Sequence, residues 1–346
     1  SHNKSDDNGI KLFSPAGIKL TDAEEEALEA AMASAFEGDF APPPAISTPH
    51  HMKGATTLYL ERCLETVGTD IDFSGLKIVL DCAHGAAYEV GPAALRQLGA
   101  DVTIIGDTPD GLNINAGVGS TATGLLKSTV TETGADIGIA FDGDADRVIV
   151  IDELGEEVDG DQVMALIAGE LHRAGRLKGG GMVATIMSNM GLAEYLKGLD
   201  LTLARTKVGD RYVGEHMRQH GFNLGGEQSG HIILSDVSTT GDGLLAALQV
   251  LKTLASSDRP ASSIMRVFEP APQELVNIPF NGSNPLESSG VGDALTQADE
   301  LLGERGRMVV RKSGTEPLIR VMAEALDEEL MHRALSLVVA AVQAEA

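Results

Sequence analysis

Asp142, Asp144 and Asp146 stand at i, i+2 and i+4 in the run Phe141-Asp142-Gly143-Asp144-Ala145-Asp146-Arg147. Three like charges at that spacing repel unless a cation neutralises them, and oxygen-only ligands suit a hard ion, Mg²⁺ or Ca²⁺. Gly143 and Ala145 let the backbone wind round an ion at little steric cost. Arg147 follows at once and adds a grip for an anion beside the metal. Read alone, the spacing fits a cation site, a solvated acidic turn or a structural Ca²⁺ loop of DxDxDG type. Against the calcium loop, Arg147 and an apolar strand follow where that motif has a glycine.

Three further constellations could carry chemistry. In Arg311-Lys312-Ser313-Gly314-Thr315-Glu316-Pro317-Leu318-Ile319-Arg320, a Ser-Gly-Thr turn can aim successive N–H groups and two hydroxyls at one point. That is an anion nest, and Arg311 and Arg320 flank it as phosphate grips; the plainer reading is a hairpin turn with two surface arginines. In Leu224-Gly225-Gly226-Glu227-Gln228-Ser229-Gly230-His231, Glu227 and Ser229 alternate and can face one sugar together, while His231 can hold a phosphate or donate a proton. A bulged hairpin with a structural histidine explains the same residues. Lys207 and Arg211 lie where a strand ends and a helix begins, the edge at which α/β sheets collect ligands, although solvated charges at a helix start fit as well. Ser1-His2-Asn3 carries no message until it is joined to Asp7-Asn8-Gly9-Ile10-Lys11.

The elements that must position these residues alternate. Thr21–Phe36 predicts a helix with a Thr21/Glu24 capping box, and Ala41–Ala45 a proline-rich linker. The pattern then predicts a strand over Lys77–Cys82, a helix over Ala86–Leu98, a strand over Asp101–Gly106 and a helix over Thr121–Thr133. Strands on both sides of the carboxylates, Ala135–Phe141 and Val148–Ile151, place them on a tight loop. The rhythm repeats with helix Gly160–Ala174, strand Gly181–Met187, helix Gly191–Leu199, strand Leu201–Val208 and helix Gly209–His220. Alternation at this spacing implies parallel sheets flanked by helices. Prolines at 260, 270 and 272 mark a junction. Strands Met308–Lys312 and Leu318–Ala323 and helix Asp327–Glu345 then form a small α+β unit.

The chain has 346 residues, more than one core needs. No apolar run of ~18 residues predicts a membrane span. A formal net charge of −25 disfavours nucleic acid and acidic membranes, so an anionic substrate must be caught by local clusters of Lys, Arg and backbone N–H groups. Two cysteines, Cys63 and Cys82, make no disulfide framework, which points to the cytoplasm. With no Trp and 3% aromatics, stacking platforms are not expected.

Four motifs in order, SHN…DNGIK, DGDADR, GEQSGH and RxSGTEPxxR, resemble the α-D-phosphohexomutase superfamily along the whole chain. Lys77–Tyr88, Pro109–Asn115 and Val208–Val213 are similar to its bacterial phosphoglucosamine mutase branch. The resemblance implies consecutive three-layer α/β domains with mostly parallel mixed sheets, plus a small C-terminal α+β domain, around one cleft. The boundaries expected here are 1–54, 55–157, 158–262 and 263–346. It implies a mutase that interconverts glucosamine 6-phosphate and glucosamine 1-phosphate through a phosphoserine and a 1,6-bisphosphate, feeding UDP-N-acetylglucosamine and cell-wall precursors. Ser1 matches the serine carrying the phosphate, and with Asp142, Asp144 and Asp146 it completes a Mg²⁺ shell. Lys11, His231 and Arg147 match positions near the reacting phosphoryl group, Glu227 and Ser229 the sugar readers, and Arg311, Ser313, Gly314, Thr315 and Arg320 the loop for the distal phosphate. Implied cofactors are one Mg²⁺ and glucosamine 1,6-bisphosphate as intermediate and activator. Implied partners are a sugar phosphate, a second copy in a homodimer, and a kinase or bisphosphate that first phosphorylates Ser1. A sister phosphomannomutase or phosphoglucomutase and a non-catalytic sugar-phosphate-binding fragment are the alternatives. Two departures stand out: Lys4 replaces the family's proline, and members carry roughly a hundred residues, about a domain's worth, before the serine. The chain is therefore expected to lack the N-terminal part of the first domain.

Overall fold

The computed structural model describes residues 2–7, 9–37, 52–281, 284–313 and 317–346. Ser1, Gly314 and Thr315 lie outside the described residues. The chain opens with a bridged turn, Phe13 pairing with Lys19, and helix α1 (Asp22–Glu37). The expected capping box is present: Glu24 accepts from the Thr21 amide at 2.8 Å, and Thr21 Oγ1 accepts from the Glu24 amide at 3.3 Å. Helix α2 (Ala55–Val67) follows.

The first sheet collects β1 (Lys77–Asp81), β2 (Asp101–Ile105), β3 (Ile137–Phe141), β4 (Val148–Asp152) and β5 (Glu157–Val158) in the order β2-β1-β3-β4-β5. Its first two pairings are parallel and the last two antiparallel. Helices α3 (Val90–Gln97) and α4 (Gly124–Thr133) join its strands. The helix expected over Ala86–Leu98 is a short 3₁₀ turn, Ala86–Tyr88, followed by α3. Pro92 then falls in the first turn, where its missing N–H breaks no helical bond. Because β3 and β4 pair antiparallel, the acidic segment is their hairpin loop, held at the sheet's end by two strands that are buried throughout.

The second sheet takes α5 (Gly160–Arg173), β6 (Gly181–Thr185), α6 (Met190–Lys197), β7 (Thr202–Thr206), α7 (Asp210–His220), β8 (Leu224–Gly226) and β9 (Ile232–Leu234), in strand order β7-β6-β8-β9. The Gly-rich segment Leu224–His231 is thus a short strand and the turn of a β8–β9 hairpin. Helix α8 (Gly243–Ala255) follows and packs on α2, α5, β3, β4 and β9. It therefore spans both sheets, whose buried residues form one continuous core from Cys63 to Met265. Helix α9 (Ala261–Met265) leads to β10 (Gln273–Pro279), α10 (Ser289–Leu302), β11 (Gly306–Lys312), β12 (Leu318–Ala325) and α11 (Glu328–Glu345). These strands make an antiparallel sheet, β10-β12-β11, with its own core from Ile278 to Val342. No helix among the described residues is long and apolar enough to cross a membrane.

Candidate active site and metal centre

The β3–β4 loop is wound tightly by its own backbone. Ala145 takes a left-handed conformation (φ 58°), and its amide donates to the Asp142 carbonyl at 3.0 Å. The Arg147 amide donates to Asp142 Oδ1 at 3.0 Å. Neighbouring chain segments hold the loop from three sides. The Ala86 amide donates to the Gly143 carbonyl at 2.8 Å, the Gly243 amide to the Ala145 carbonyl at 2.9 Å, and the Val148 amide to the Gly230 carbonyl at 3.0 Å. Each contact needs a glycine: a Cβ on Gly85 would collide with Gly143, one on Gly243 with Arg147, and one on Gly230 with Val148.

This winding gathers Asp142, Asp144 and Asp146, each with a carboxylate oxygen within 4.8 Å of the others. Asp142 is fully buried and its Oδ2 has no hydrogen-bond partner among the described residues. Burial, and then repulsion from Asp146 and Asp144, push its carboxyl up to about 7. Asp146 shares the burial, which acts upward, yet His231 and Lys11 hold it well below the usual carboxylate range. Lys11 Nζ donates to Asp144 Oδ2 at 2.6 Å and to Asp146 Oδ2 at 2.8 Å. Burial works against the ammonium, but these two carboxylates raise its pKa above the ordinary lysine value. The donor set fits a hard divalent cation: all ligands are oxygens, two buried oxygens, Asp142 Oδ2 and Asp146 Oδ1, accept no hydrogen bond among the described residues, and two of the three acids already converge on a single positive charge.

His231 is buried and forms an isolated bridge with Arg147, so the 227–231 turn lies directly on the start of β4. His2 is close by: burial and then Arg147 lower its pKa, while Asp146 and Asp144 act the other way. The N-terminal segment is tied to the same unit by Asn115 Nδ2 donating to the Asn3 carbonyl at 2.7 Å and Ser5 Oγ to the Leu112 carbonyl at 3.0 Å. Glu227 Oε1 accepts from the Gly209 amide at 2.9 Å, which joins the hairpin turn to the entry of α7; Ser229 is exposed beside it. Lys207 lies 5.9 Å from the centre of the Tyr212 ring. Arg211, expected at the substrate, has its guanidinium paired with Asp22 and Glu25 of α1.

Arg311 and Arg320 stand on the third sheet as direct cross-strand partners. Like charges placed opposite each other disfavour a sheet unless an anion lies between them. Burial and the neighbouring Arg320 lower the pKa of Arg311. Ser313 is buried, and its amide donates to the Leu318 carbonyl at 2.8 Å at the root of the expected nest. This third sheet is joined to the second by a buried carboxylate. Glu324 accepts from Arg307 Nε and, at 2.6 Å, from the Met190 amide. Arg307 also donates to the carbonyls of Ile186 and Ser188.

The structure thus brings Lys11, Asp142, Asp144, Asp146, Arg147 and His231 together, sets Glu227, Ser229 and Lys207 at the neighbouring strand ends, and carries Arg311, Ser313 and Arg320 on a separate sheet. Lys19 and Asp210, an ion pair next to His231, had no place in the sequence reading. The available signal was Asp210's position between a strand end and the already singled-out Arg211.

Four profiles match in order along the chain: phosphoglucomutase/phosphomannomutase α/β/α domain I over 1–39, domain II over 57–155, domain III over 159–271 and the C-terminal domain over 275–341. The phosphoglucosamine mutase of Hyphomonas neptunium is 70% identical over 346 residues, which are 100% of this chain and 77% of that protein. Among solved structures, a phosphoglucomutase/phosphomannomutase family protein from Burkholderia thailandensis superposes with a TM-score of 0.76 at 22% identity, over 95% of this chain and 71% of the other. The N-acetylphosphoglucosamine mutase of Aspergillus fumigatus, solved in complex with GlcNAc-6P and magnesium, gives 0.64 at 23% identity, over 82% and 70%. The solved structures share the fold and the close relative shares most residues; with four matched units in unbroken order, the chain belongs to the phosphoglucomutase/phosphomannomutase family.

Proposed function

We propose that the chain is an isomerase that moves a phosphoryl group between the 6- and 1-positions of glucosamine phosphate. What supports this reading is the loop at 142–146, where three carboxylates converge with Lys11, Arg147 and His231 packed round them. The 70% identity to a phosphoglucosamine mutase selects the amino sugar over its sister hexose phosphates.

The reaction is a pair of phosphoryl transfers. In the first, the Oγ–P bond of phosphorylated Ser1 breaks and its oxygen takes a proton from Lys11, a bond forms from phosphorus to the free sugar hydroxyl, and the hydroxyl proton leaves to His231. The sugar 1,6-bisphosphate then turns over in the cleft and returns its other phosphoryl group to Ser1. Little covalent work falls to the protein, so positioning and charge dominate. Asp142, Asp144 and Asp146 with the Ser1 phosphate would hold Mg²⁺, which when bound withdraws charge from the phosphoryl oxygens and eases departure of the serine oxygen. Lys11 is kept protonated by its two acids, so it serves as a cation and a proton donor. Arg147 grips the transferring group, Glu227 and Ser229 read sugar hydroxyls, and Arg311 and Arg320 with Ser313, Gly314 and Thr315 hold the other phosphate. A grip made of charge with little shape accepts the sugar in both orientations, which the two half-reactions need. Cys63 and Cys82 are both free and buried, with thiols pushed up to about 12 mainly by burial, and we place the enzyme in the reducing cytoplasm.

The test is a coupled assay for glucosamine 1-phosphate formed from glucosamine 6-phosphate, with intact mass reporting one phosphoryl group on Ser1. The expected result is turnover with Mg²⁺ that is lost in Ser1→Ala and Asp144→Ala. Turnover of mannose or glucose phosphates in preference to the amino sugar would overturn the assignment.

A further inference from the structure

Lys19 and Asp210 form the far end of a line of polar side chains that begins at the acidic loop and passes through His231. Lys11 pairs with Asp146, and Asp146 Oδ1 lies 3.4 Å from His231 Nδ1. The other ring nitrogen, Nε2, lies 3.4 Å from Asp210 Oδ2, the oxygen that pairs with Lys19. Both ends return to one short segment. Residues 11–19 fold into a turn closed by the Phe13–Lys19 bridge and by the Ser14 amide donating to the Ile18 carbonyl at 2.8 Å. Thr239 Oγ1 fixes that turn by donating to the Gly17 carbonyl at 2.6 Å. Gly241 lies against the histidine ring; a Cβ there would come within 2.5 Å of Cδ2 and Cε1.

We propose that Asp210 and Lys19 are positioning residues for His231. Asp210 fixes the rotation of the buried imidazole so that Nδ1 faces Asp146, and Lys19 fixes Asp210. The torsion that turns an imidazole is broad and roughly two-fold, so packing alone selects an orientation weakly. Carboxylates at opposite nitrogens select one. An acid in the first turn of a helix also favours the helix electrostatically, which is a structural role that the test must separate. The proposal rests on the mutase reading, because His231 takes the hydroxyl proton there.

The experiment uses the full chain with Mg²⁺ and the variants Lys19→Met, Asp210→Ala, their combination and Lys19→Arg. A displaced catalytic group costs on the order of 10–100-fold in rate. Lys19→Met and Asp210→Ala are expected to lower kcat at least about tenfold while KM stays within about twofold. Because Lys19 acts through Asp210, the double variant should match Asp210→Ala alone. Lys19→Arg should recover most of what Lys19→Met loses. Independently of turnover, ¹⁵N-histidine NMR should show a protected His231 Nε2 proton that disappears in Asp210→Ala. Multiplicative losses in the double variant, or an unchanged His231 signal in Asp210→Ala, would overturn the proposal. Absence of turnover in the unmodified chain would count against the mutase reading, while the NMR comparison would still decide the role of Asp210.

Discussion

Replacing Asp142 by asparagine should stabilise the protein without metal and remove its response to metal. Asp142 is fully buried, and its carboxyl is pushed from 3.8 up to about 7 by burial and by Asp146 and Asp144. Three units correspond to about 4 kcal/mol against the charged form. The folded pKa lies above the unfolded one, so between about pH 4 and 7 the unfolded chain has released a proton that the folded chain still holds. Stability therefore falls as pH rises through that window. Asp146, held low, is ionised in both states over the same range and adds only a constant. The carboxamide of the Asp142→Asn variant would keep the acceptor for the Arg147 amide and carry no charge. In EDTA at pH 8, urea unfolding should find Asp142→Asn more stable by about 2–4 kcal/mol, the upper figure being the full cost above. The gap should close towards pH 4.5. With Mg²⁺ at 100 times its Kd, the unmodified protein should gain about 2.7 kcal/mol and the variant little. A variant less stable than the parent in EDTA at pH 8, or an equal gain from Mg²⁺ in both, would refute the reasoning.

Lys11→Met should lower kcat about 100-fold, yet bind Mg²⁺ more tightly by calorimetry, because the ammonium occupies two of the same carboxylates; weaker binding would contradict that geometry. Gly230→Ala should cost about 3 kcal/mol in urea unfolding, since φ is 89° and the new carbon meets the Val148 carbonyl, whereas Gly117→Ala, at φ 73° in open space, should cost about 1 kcal/mol. Equal costs would show that the contact with β4 is unimportant. Glu324→Ala leaves Arg307 and the Met190 amide without their buried acceptor and should cost about 3 kcal/mol. Hydrogen exchange should then rise in β11 and β12; unchanged protection would count against a linking role.

The acidic loop was legible because its chemistry is local: three acids, two small spacers and flanking apolar runs all lie between Ala135 and Ile151. The β3–β4 hairpin, α7 and the β11–β12 pair were legible for the same reason. Helix α8 was not, because GLLAALQVLKTLA is apolar on nearly every face and a helix buried all round shows no amphipathic period. The start of α3 was missed although Pro92 signalled it. The preceding turn depends on left-handed backbone at Ala83 and His84 (φ 54° and 48°) and on the Gly143 carbonyl, which is supplied from a distant loop. Lys19 and Asp210 are 191 positions apart, and only the folded chain makes them neighbours. Arg211 illustrates the converse: its location suggested a ligand, while the acids that engage it lie in α1.

The two larger sheets share a single interior, bridged by α8, while the third sheet keeps a separate one. Its attachment runs through Arg307, Glu324 and Gln273 to main-chain groups at 186–190. A seam of polar contacts can part and admit water without exposing greasy surface, whereas pulling the first two sheets apart would tear a common interior. The small lobe thus holds Arg311 and Arg320 on an interior of its own, while the acidic turn is anchored in the larger body.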